Sequence, residues 1–153
     1  MNELFTFRNA DLKDAPIIAS FQVKMAWETE KYKLNYDIVI KGVEAVFNDP
    51  NKGKYYVVEY KNNIIACLLI TYEWSDWRNG TVLWIHSLYV EKEFRKKGIF
   101  KMMFTYIKDM VNENENYKGI RLYVDKSNEN AINVYKKIGM NDDHYKLFEW
   151  MKK

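Results

Sequence analysis

The sequence predicts an α/β fold in which helices pack on a central sheet. Residues 82–90 are rich in β-branched and aromatic side chains, which is typical of a strand. Residues 55–60 and 64–73 are two further apolar runs joined by Lys61-Asn62-Asn63, a sequence that favours a tight hairpin turn. Directly after the strand over 82–90, apolar residues recur at helical spacing, at Phe100, Met103, Phe104, Ile107 and Val111.

The remaining elements follow from the same kinds of pattern. Residues 4–8 predict a first strand, and Asp11 or Asp14 predicts the cap of a helix that has Pro16 in its opening turn. A second helix is predicted over residues 36–47, and Asp49-Pro50 ends it. A strand over 120–124, a helix over 128–138 and a last strand over 144–151 complete the fold.

Length and composition indicate one globular domain over residues 1–153. A chain of 153 residues with 48% hydrophobic and 29% charged residues suits one core and argues against disorder. No apolar run is long enough for a membrane span and the polar start lacks a signal-peptide core, so we expect a cytoplasmic protein. The single Cys67 lies in an apolar run, where we expect a buried small hydrophobe.

The net charge of +3 is modest, and much of the local excess lies around residues 92–101. A phosphate-bearing ligand explains that excess without nucleic acid, although a nucleic-acid module stays open as a third interpretation. Two histidines far apart and no zinc-ligand spacing argue against a metal site.

The segment between the strand over 82–90 and the following helix has the chemistry of a phosphate-binding turn. Arg95, Lys96 and Lys97 supply positive charge, and Gly98 allows close approach of the backbone. The first turn of a helix offers N–H donors to an anion, so a diphosphate fits here. The spacing matches neither the nucleotide P-loop nor the dinucleotide fingerprint.

Two motifs resemble the GNAT superfamily of N-acetyltransferases. The family's Arg/Gln-x-x-Gly-x-Gly/Ala turn matches here at Arg95 and Gly98, while Phe100 replaces the small sixth residue. The second motif is a strand, an Asn, a helix carrying Ala and Tyr, then Lys-x-Gly-Phe. It corresponds here to Asn128, Ala131, Tyr135 and Gly139, with Met140 in place of Phe.

The resemblance implies a mixed, mostly antiparallel central sheet of six to seven strands flanked by about four helices. It also implies acetyl-CoA as cosubstrate, no metal, and direct attack of a primary amine on the acetyl group. The residues that it assigns to cofactor binding are Leu88, Tyr89, Val90, Arg95, Lys96, Lys97, Gly98, Ile99, Phe100, Asn128 and Tyr135.

The implied reaction needs groups that move protons. An alkyl ammonium has a pKa near 10.4, so a base or a desolvating pocket helps to make it neutral. His86 is one candidate base, on an alternating strand side shared with Trp84, Leu88 and Val90 unless a bulge intervenes. Glu73, acting directly or through water, is the rival. His144 is a third candidate.

Tyr135 matches the family position that protonates the leaving thiolate, although its helical spacing with Ala131, Val134 and Ile138 also suits a core residue. Asn128 is equally suited to cofactor contact and to a helix N-cap. A free N–H near residues 88–90 could stabilise the oxyanion that develops on the thioester carbonyl.

Acidic groups beside aromatic faces attract cationic amines, and this chemistry predicts an acceptor site at Trp27, Glu28, Trp74 and Asp76. We expect the acceptor to be a primary amine of a small molecule or a peptide. The alternative is an acyl-CoA-binding sensor or assembly domain with weak or no turnover. Residues 145–151 are apolar and aromatic, and either complete the sheet or pair in a homodimer.

Overall fold

The computed structural model describes residues 4–153, which form five strands and four α-helices. The strands are β1 (Phe5–Asn9), β2 (Lys54–Tyr60), β3 (Asn63–Ser75), β4 (Gly80–Val90) and β5 (Tyr117–Leu122). The helices are α1 (Ala15–Glu30), α2 (Tyr36–Asn48), α3 (Ile99–Glu113) and α4 (Glu129–Lys137). Short 3-10 helices at Leu12–Asp14 and Lys92–Phe94 precede α1 and α3. Within this range, no helix is both long and apolar enough to cross a bilayer.

The sheet has the order β1-β2-β3-β4-β5. The first four strands pair antiparallel and β4 pairs parallel with β5. This confirms the predicted α/β class with a mixed, mostly antiparallel sheet, and the four helices are those predicted. The strand count is lower than predicted, with five strands in the described range instead of six to seven.

The last predicted strand accounts for this difference, because residues 144–151 are irregular in the structure. Phe148 and Trp150 are each 89% exposed. Aromatic residues favour strands because they pack on the surface of a sheet. Exposed side chains gain none of that packing, so the pattern alone does not produce a strand here.

The contacts divide the chain into a first unit that ends at Tyr123 and a second unit, Val124–Lys153. The first unit contains the sheet and α1 to α3. The second contains α4, which begins after Asn128 and ends before Gly139, a residue with φ of 98°. That left-handed residue suits glycine, and the Gly139 N–H donates to the Lys136 carbonyl at 3.1 Å.

The core of the first unit lies on both faces of the sheet. Helices α1 and α2 pack Ile18, Phe21 and Val43 against Val57 of β2 and Cys67 of β3. On the opposite face, Tyr106 of α3 stacks on Phe7, and the Tyr56 hydroxyl lies 3.6 Å from the Met110 sulfur. Cys67 is fully buried, as predicted, and burial raises the pKa of its thiol to about 12.

The predicted hairpin between β2 and β3 is present. Its left-handed residues are Lys61 and Asn62, with φ of 48° and 66°. Asn63 lies outside the turn, because it already pairs with Tyr60 in the sheet.

A network of one cation and two carboxylates joins β1, β2 and the start of α1. Arg8 donates to Asp14 at 2.8 Å and to Glu59 at 2.9 Å, and the Asp11 N–H donates to Asp14 at 2.8 Å. Asp14 stands at the predicted cap position of α1. Its carboxylate accepts hydrogen bonds from Arg8 and from the Asp11 N–H, and accepts none from the first turn of α1. Burial tends to raise the pKa of Asp14, but the bonds from Arg8 and Asp11 outweigh burial and lower it below 3.8.

We predict that Asp14→Ala destabilises the fold by about 3 kcal/mol at pH 7, because it leaves Arg8 without its most buried partner. Since the pKa of Asp14 is lowered in the folded state, its stabilisation is present above the ordinary value of 3.8 and is lost as the pH falls further. Urea denaturation between pH 3 and pH 7 measures both effects. The exposed carboxylate of Asp109 provides the control Asp109→Asn. Equal pH dependence of wild type and Asp14→Ala would contradict the prediction.

Candidate functional site

A β-bulge interrupts β4 directly after His86. Cys67 of β3 pairs with Tyr89 and Leu69 pairs with His86, so Leu68 alone spans the interval that Ser87 and Leu88 occupy. Ser87 has a φ of 55°, an unusual left-handed conformation for a residue other than glycine. Beyond the bulge, each residue of β4 lies on the opposite face of the sheet from the one that a regular strand would give it.

This bulge corrects the predicted face of β4. Cross-strand partners share a face, so His86 lies with Leu69, and Tyr89 lies with Cys67 on that same face. Val90 pairs with Ala66 and lies on the opposite face. The expectation that His86 and Val90 share a side is therefore wrong, because the bulge adds a residue between them.

A polar and aromatic cluster lies on the same face of the sheet as Leu69 and is called the His86 cluster here. Its members are Glu73, Trp84, His86, Arg121 and Tyr123. The Trp84 indole N–H and the Arg121 guanidinium each donate to the same oxygen of Glu73, both at 2.8 Å. The ring of Trp84 lies 6.0 Å from the ring of His86 and 4.6 Å from that of Tyr123. The cluster thus combines a paired carboxylate, an imidazole and two aromatic faces.

The two candidate bases in this cluster differ in their electrostatics. Hydrogen bonds from Trp84 and then from Arg121 hold the pKa of Glu73 below its ordinary value, so this carboxylate is a weak proton acceptor. Burial lowers the pKa of His86 below 6.5, because the charged imidazolium is less well solvated there. His86 is therefore neutral at pH 7 and able to take a proton.

The basic turn after β4 is held from three sides. The Arg95 Nε donates to the Val90 carbonyl at 2.8 Å, and its Nη2 pairs with Glu28 at 2.7 Å. The guanidinium also stands over the Tyr89 ring, 5.3 Å from its centroid, and the Tyr89 hydroxyl donates to Glu28 at 3.3 Å. Arg95 is thus oriented between the end of α1 and the end of β4.

The turn opens toward solvent where it enters α3. Lys96 and Gly98 both have left-handed backbone, with φ of 63° and 78°, and a Cβ on Gly98 would meet no atom within 4 Å. Helix α3 starts at Ile99 without a side-chain cap, while the ring of Phe100 lies 6.0 Å from that of Phe104 along the helix. Exposed Lys96 and Lys97 flank this start. An exposed diphosphate fits such a turn in space and in charge.

The predicted acceptor residues do not lie together. Glu28 of α1 forms an ion pair with Arg95 and therefore lies beside the basic turn. Trp74 pairs with Thr81 and lies on the opposite face of β3 from Glu73, and Asp76 accepts a bond from the Trp77 N–H within its own turn. Trp27 is 53% exposed near the end of α1, with the Lys31 ammonium over its ring.

The second unit carries the other predicted site residues on α4. The Asn128 side-chain oxygen accepts from the Ala131 N–H at 3.2 Å, so this side chain caps the helix. Tyr135 is half-buried, and burial raises the pKa of its hydroxyl, which keeps it a proton donor at neutral pH.

Sequence reasoning missed Arg121 and Gln22. Arg121 follows from the register alone, because β5 pairs parallel with β4 and brings it opposite Trp84. Gln22 had a usable signal, as a polar residue on the buried side of α1 between Ile18 and Met25. Its amide donates to the Ser87 carbonyl at 3.3 Å.

Comparison with known proteins identifies a family for this chain. Residues 8–140 match the acetyltransferase (GNAT) family. The chain belongs to this family. Comparison with the curated proteins gives no significant match.

Solved structures of the family resemble the whole chain. A possible acetyltransferase from Clostridium difficile 630 is 44% identical with a TM-score of 0.91, and the match covers 98% of this chain and 99% of that one. A predicted acetyltransferase with acetyl-CoA from Clostridium acetobutylicum is 27% identical with a TM-score of 0.73, and covers 95% and 96% of the two chains. An aminoglycoside acetyltransferase from an uncultured soil metagenomic sample, in complex with sisomicin, is 15% identical with a TM-score of 0.78 over 99% of each chain, and shows the fold alone.

We predict that the His86 imidazole titrates below pH 6.5 in the folded protein, because burial disfavours its charged form. Heteronuclear NMR of the ring carbons across pH 4 to 8 gives the midpoint directly. His86→Gln identifies the His86 resonance, since His144 is the other histidine of the chain. A midpoint above the ordinary value would overturn this electrostatic account of the cluster.

Proposed function

We propose that the whole chain acts as one N-acetyltransferase domain that transfers the acetyl group of acetyl-CoA to a primary amine of a small molecule or peptide. The observation that carries the proposal is the junction after β4. There, the bulge beside His86 and the turn formed by Arg95 and Gly98 lie on one continuous segment. A 27% identical relative with acetyl-CoA supports the choice of cosubstrate.

In this proposal the basic turn binds the diphosphate of the cosubstrate. The backbone of Gly98 and Ile99 approaches the phosphates, and Lys96 and Lys97 add charge. Arg95 keeps its bond to the Val90 carbonyl while its outer nitrogens turn from Glu28 toward a phosphate. Glu28 thereby acts as an internal anion that holds Arg95 oriented before the ligand arrives.

Acetyl-CoA supplies an activated thioester, and the side chains handle the protons. The amine nitrogen forms a bond to the acetyl carbon and the carbon–sulfur bond breaks. His86 accepts the proton that the amine loses, directly or through water, and Tyr135 donates its hydroxyl proton to the departing sulfur. Glu73, held at a lowered pKa by Trp84 and Arg121, keeps negative charge beside the amine and is the weaker base.

The acceptor site in this proposal lies over the His86 cluster. A cationic amine there meets the aromatic faces of Trp84 and Tyr123 and the carboxylate of Glu73, which attract it by cation–π contact and by charge. Exposed Trp27 at the end of α1 is proposed as a further acceptor contact.

We expect the purified protein to release free thiol from acetyl-CoA in the presence of at least one amine from a panel. The panel contains a polyamine, an aminoglycoside, an amino-acid amide and a peptide with a free N-terminus. Thiol release is followed with a chromogenic disulfide and the acetylated product by mass spectrometry. Acetyl-CoA binding without release on any amine would favour the alternative, an acyl-CoA-binding sensor domain.

The variants Arg95→Ala and Lys41→Ala form a matched pair for this test. Both remove an exposed cation, but Lys41 belongs to α2 and not to the basic turn. Removing charge-assisted bonds of about 1.5–3 kcal/mol should weaken calorimetric CoA binding by about tenfold or more in Arg95→Ala only. Equal affinity of the two variants would refute the assignment of the turn.

We further predict that His86→Gln and Tyr135→Phe each lower kcat by about 10² or more on the best amine, because each removes a proton-transfer group. CoA affinity should be preserved in both. In wild type, kcat/KM should fall at acidic pH as His86 becomes charged, and His86→Gln should abolish that limb. Glu73→Gln is the comparison variant. If it alone removed the acidic limb, Glu73 would be the base.

A further inference from the structure

Gln22 is a buried amide on the apolar side of α1. Gln22 is 8% exposed, and Ile18 and Phe21 on the same helix are fully buried. A buried amide left without a hydrogen-bond partner destabilises the folded state, so the partners of Gln22 matter. The Gln22 Nε2 donates to the Ser87 carbonyl at 3.3 Å and lies 3.6 Å from the Cys67 sulfur.

The Ser87 carbonyl receives a second donor from β3. The Cys67 thiol lies 3.5 Å from that oxygen, and with its pKa raised to about 12 it stays protonated and able to donate. Two side chains, one from α1 and one from β3, therefore converge on a single backbone oxygen in the bulge. This convergence ties the bulge to the helix that packs over it.

The carbonyl that accepts these two hydrogen bonds belongs to Ser87, a residue with a strained backbone. Ser87 has a φ of 55°, and such a conformation is unfavourable in a residue other than glycine and persists only where its surroundings hold it. The Ser87 carbonyl and the Leu88 N–H belong to the same planar peptide group. A bond that fixes the direction of the carbonyl therefore also fixes the direction of the N–H.

We propose that Gln22 is a positioning residue that locks the Ser87–Leu88 peptide, so that the Leu88 N–H donates to the thioester carbonyl of acetyl-CoA. This inference rests on the proposed function. Gln22 itself touches neither the cosubstrate nor the amine. It acts through the bulge, and its loss lets Ser87 relax toward an ordinary conformation with the Leu88 N–H turned away.

The main test uses Gln22→Met, which keeps the length of the side chain and removes the donor. Removing a donor from an oxyanion site lowers kcat by about 10²–10³, and a donor that is present but misdirected should lower it by about tenfold or more. The KM for acetyl-CoA and the calorimetric affinity for CoA should stay within about twofold of wild type, because the basic turn is intact.

A spectroscopic readout needs no acceptor amine. Infrared difference spectra of bound acetyl-CoA labelled with ¹³C at the carbonyl report the hydrogen bond to that oxygen. We expect a lowered stretching frequency in wild type and a shift toward the frequency in free solution in Gln22→Met. Gln22→Asn, whose amide is one methylene shorter, is the second variant and should show the same shift if Gln22→Met does not fold.

Val43→Ala is the matched control, since Val43 is a buried residue of the same apolar cluster on α2. It should lower stability while leaving the carbonyl frequency and kcat close to wild type. Unchanged frequency and kcat in a folded Gln22 variant would overturn the inference and leave the proposed function standing. Failure of wild type to bind acetyl-CoA would overturn the proposed function, and this role with it.

Discussion

The pairing of β3 with β4, and its interruption at Ser87, is the constraint on which the rest of this structure depends. On one side of the bulge, Leu69 and His86 pair. On the other side, Cys67 and Tyr89 pair on the same face. Because one extra residue is accommodated there, Tyr89 joins the face of His86, and its hydroxyl reaches Glu28. The turn that carries Arg95 follows directly after this shifted end of β4. A regular strand would have put Val90 on that face instead.

The ion pairs around the basic turn contribute more to the orientation of side chains than to stability. Arg95 is exposed, and an exposed ion pair contributes little to stability, about 0–1 kcal/mol. Its pairing with Glu28 and its contact with the Tyr89 ring are therefore better understood as orientation than as stabilisation. Lys24 pairs with Glu91 at 2.8 Å nearby, so two ion pairs join α1 to the segment after β4, one at Glu91 and one at Arg95. Helix α1 thus supports the turn at its edge and the bulge through Gln22.

The His86 cluster separates two groups that look equivalent as candidate bases. Glu73 receives two hydrogen bonds on one oxygen and has its pKa lowered, whereas burial keeps His86 neutral. The difference arises from Trp84 and Arg121, one on the neighbouring strand and one on the strand beyond it. In the proposed transfer reaction a group must accept a proton near neutral pH, and the electrostatics favour the imidazole for that role.

Much of the fold was predictable because it depends on local patterns. Three features depend on short stretches of chain. They are the helical spacing in α1 to α4, the hairpin at Lys61 and Asn62, and the strand-turn-helix segment at Arg95 and Gly98. Residues 144–151 show the limit of such patterns, since aromatic residues that favour a strand lie exposed and irregular there.

The amino-acid sequence by itself determined the family, the α/β class and the basic turn, because each depends on neighbours along the chain. The tertiary structure alone decided the bulge at Ser87, the face of Tyr89, the pairing of Glu28 with Arg95 and the bonds that Glu73 receives. These features depend on register and on side chains from distant segments. Register is a property of two strands, and no single stretch of sequence contains it.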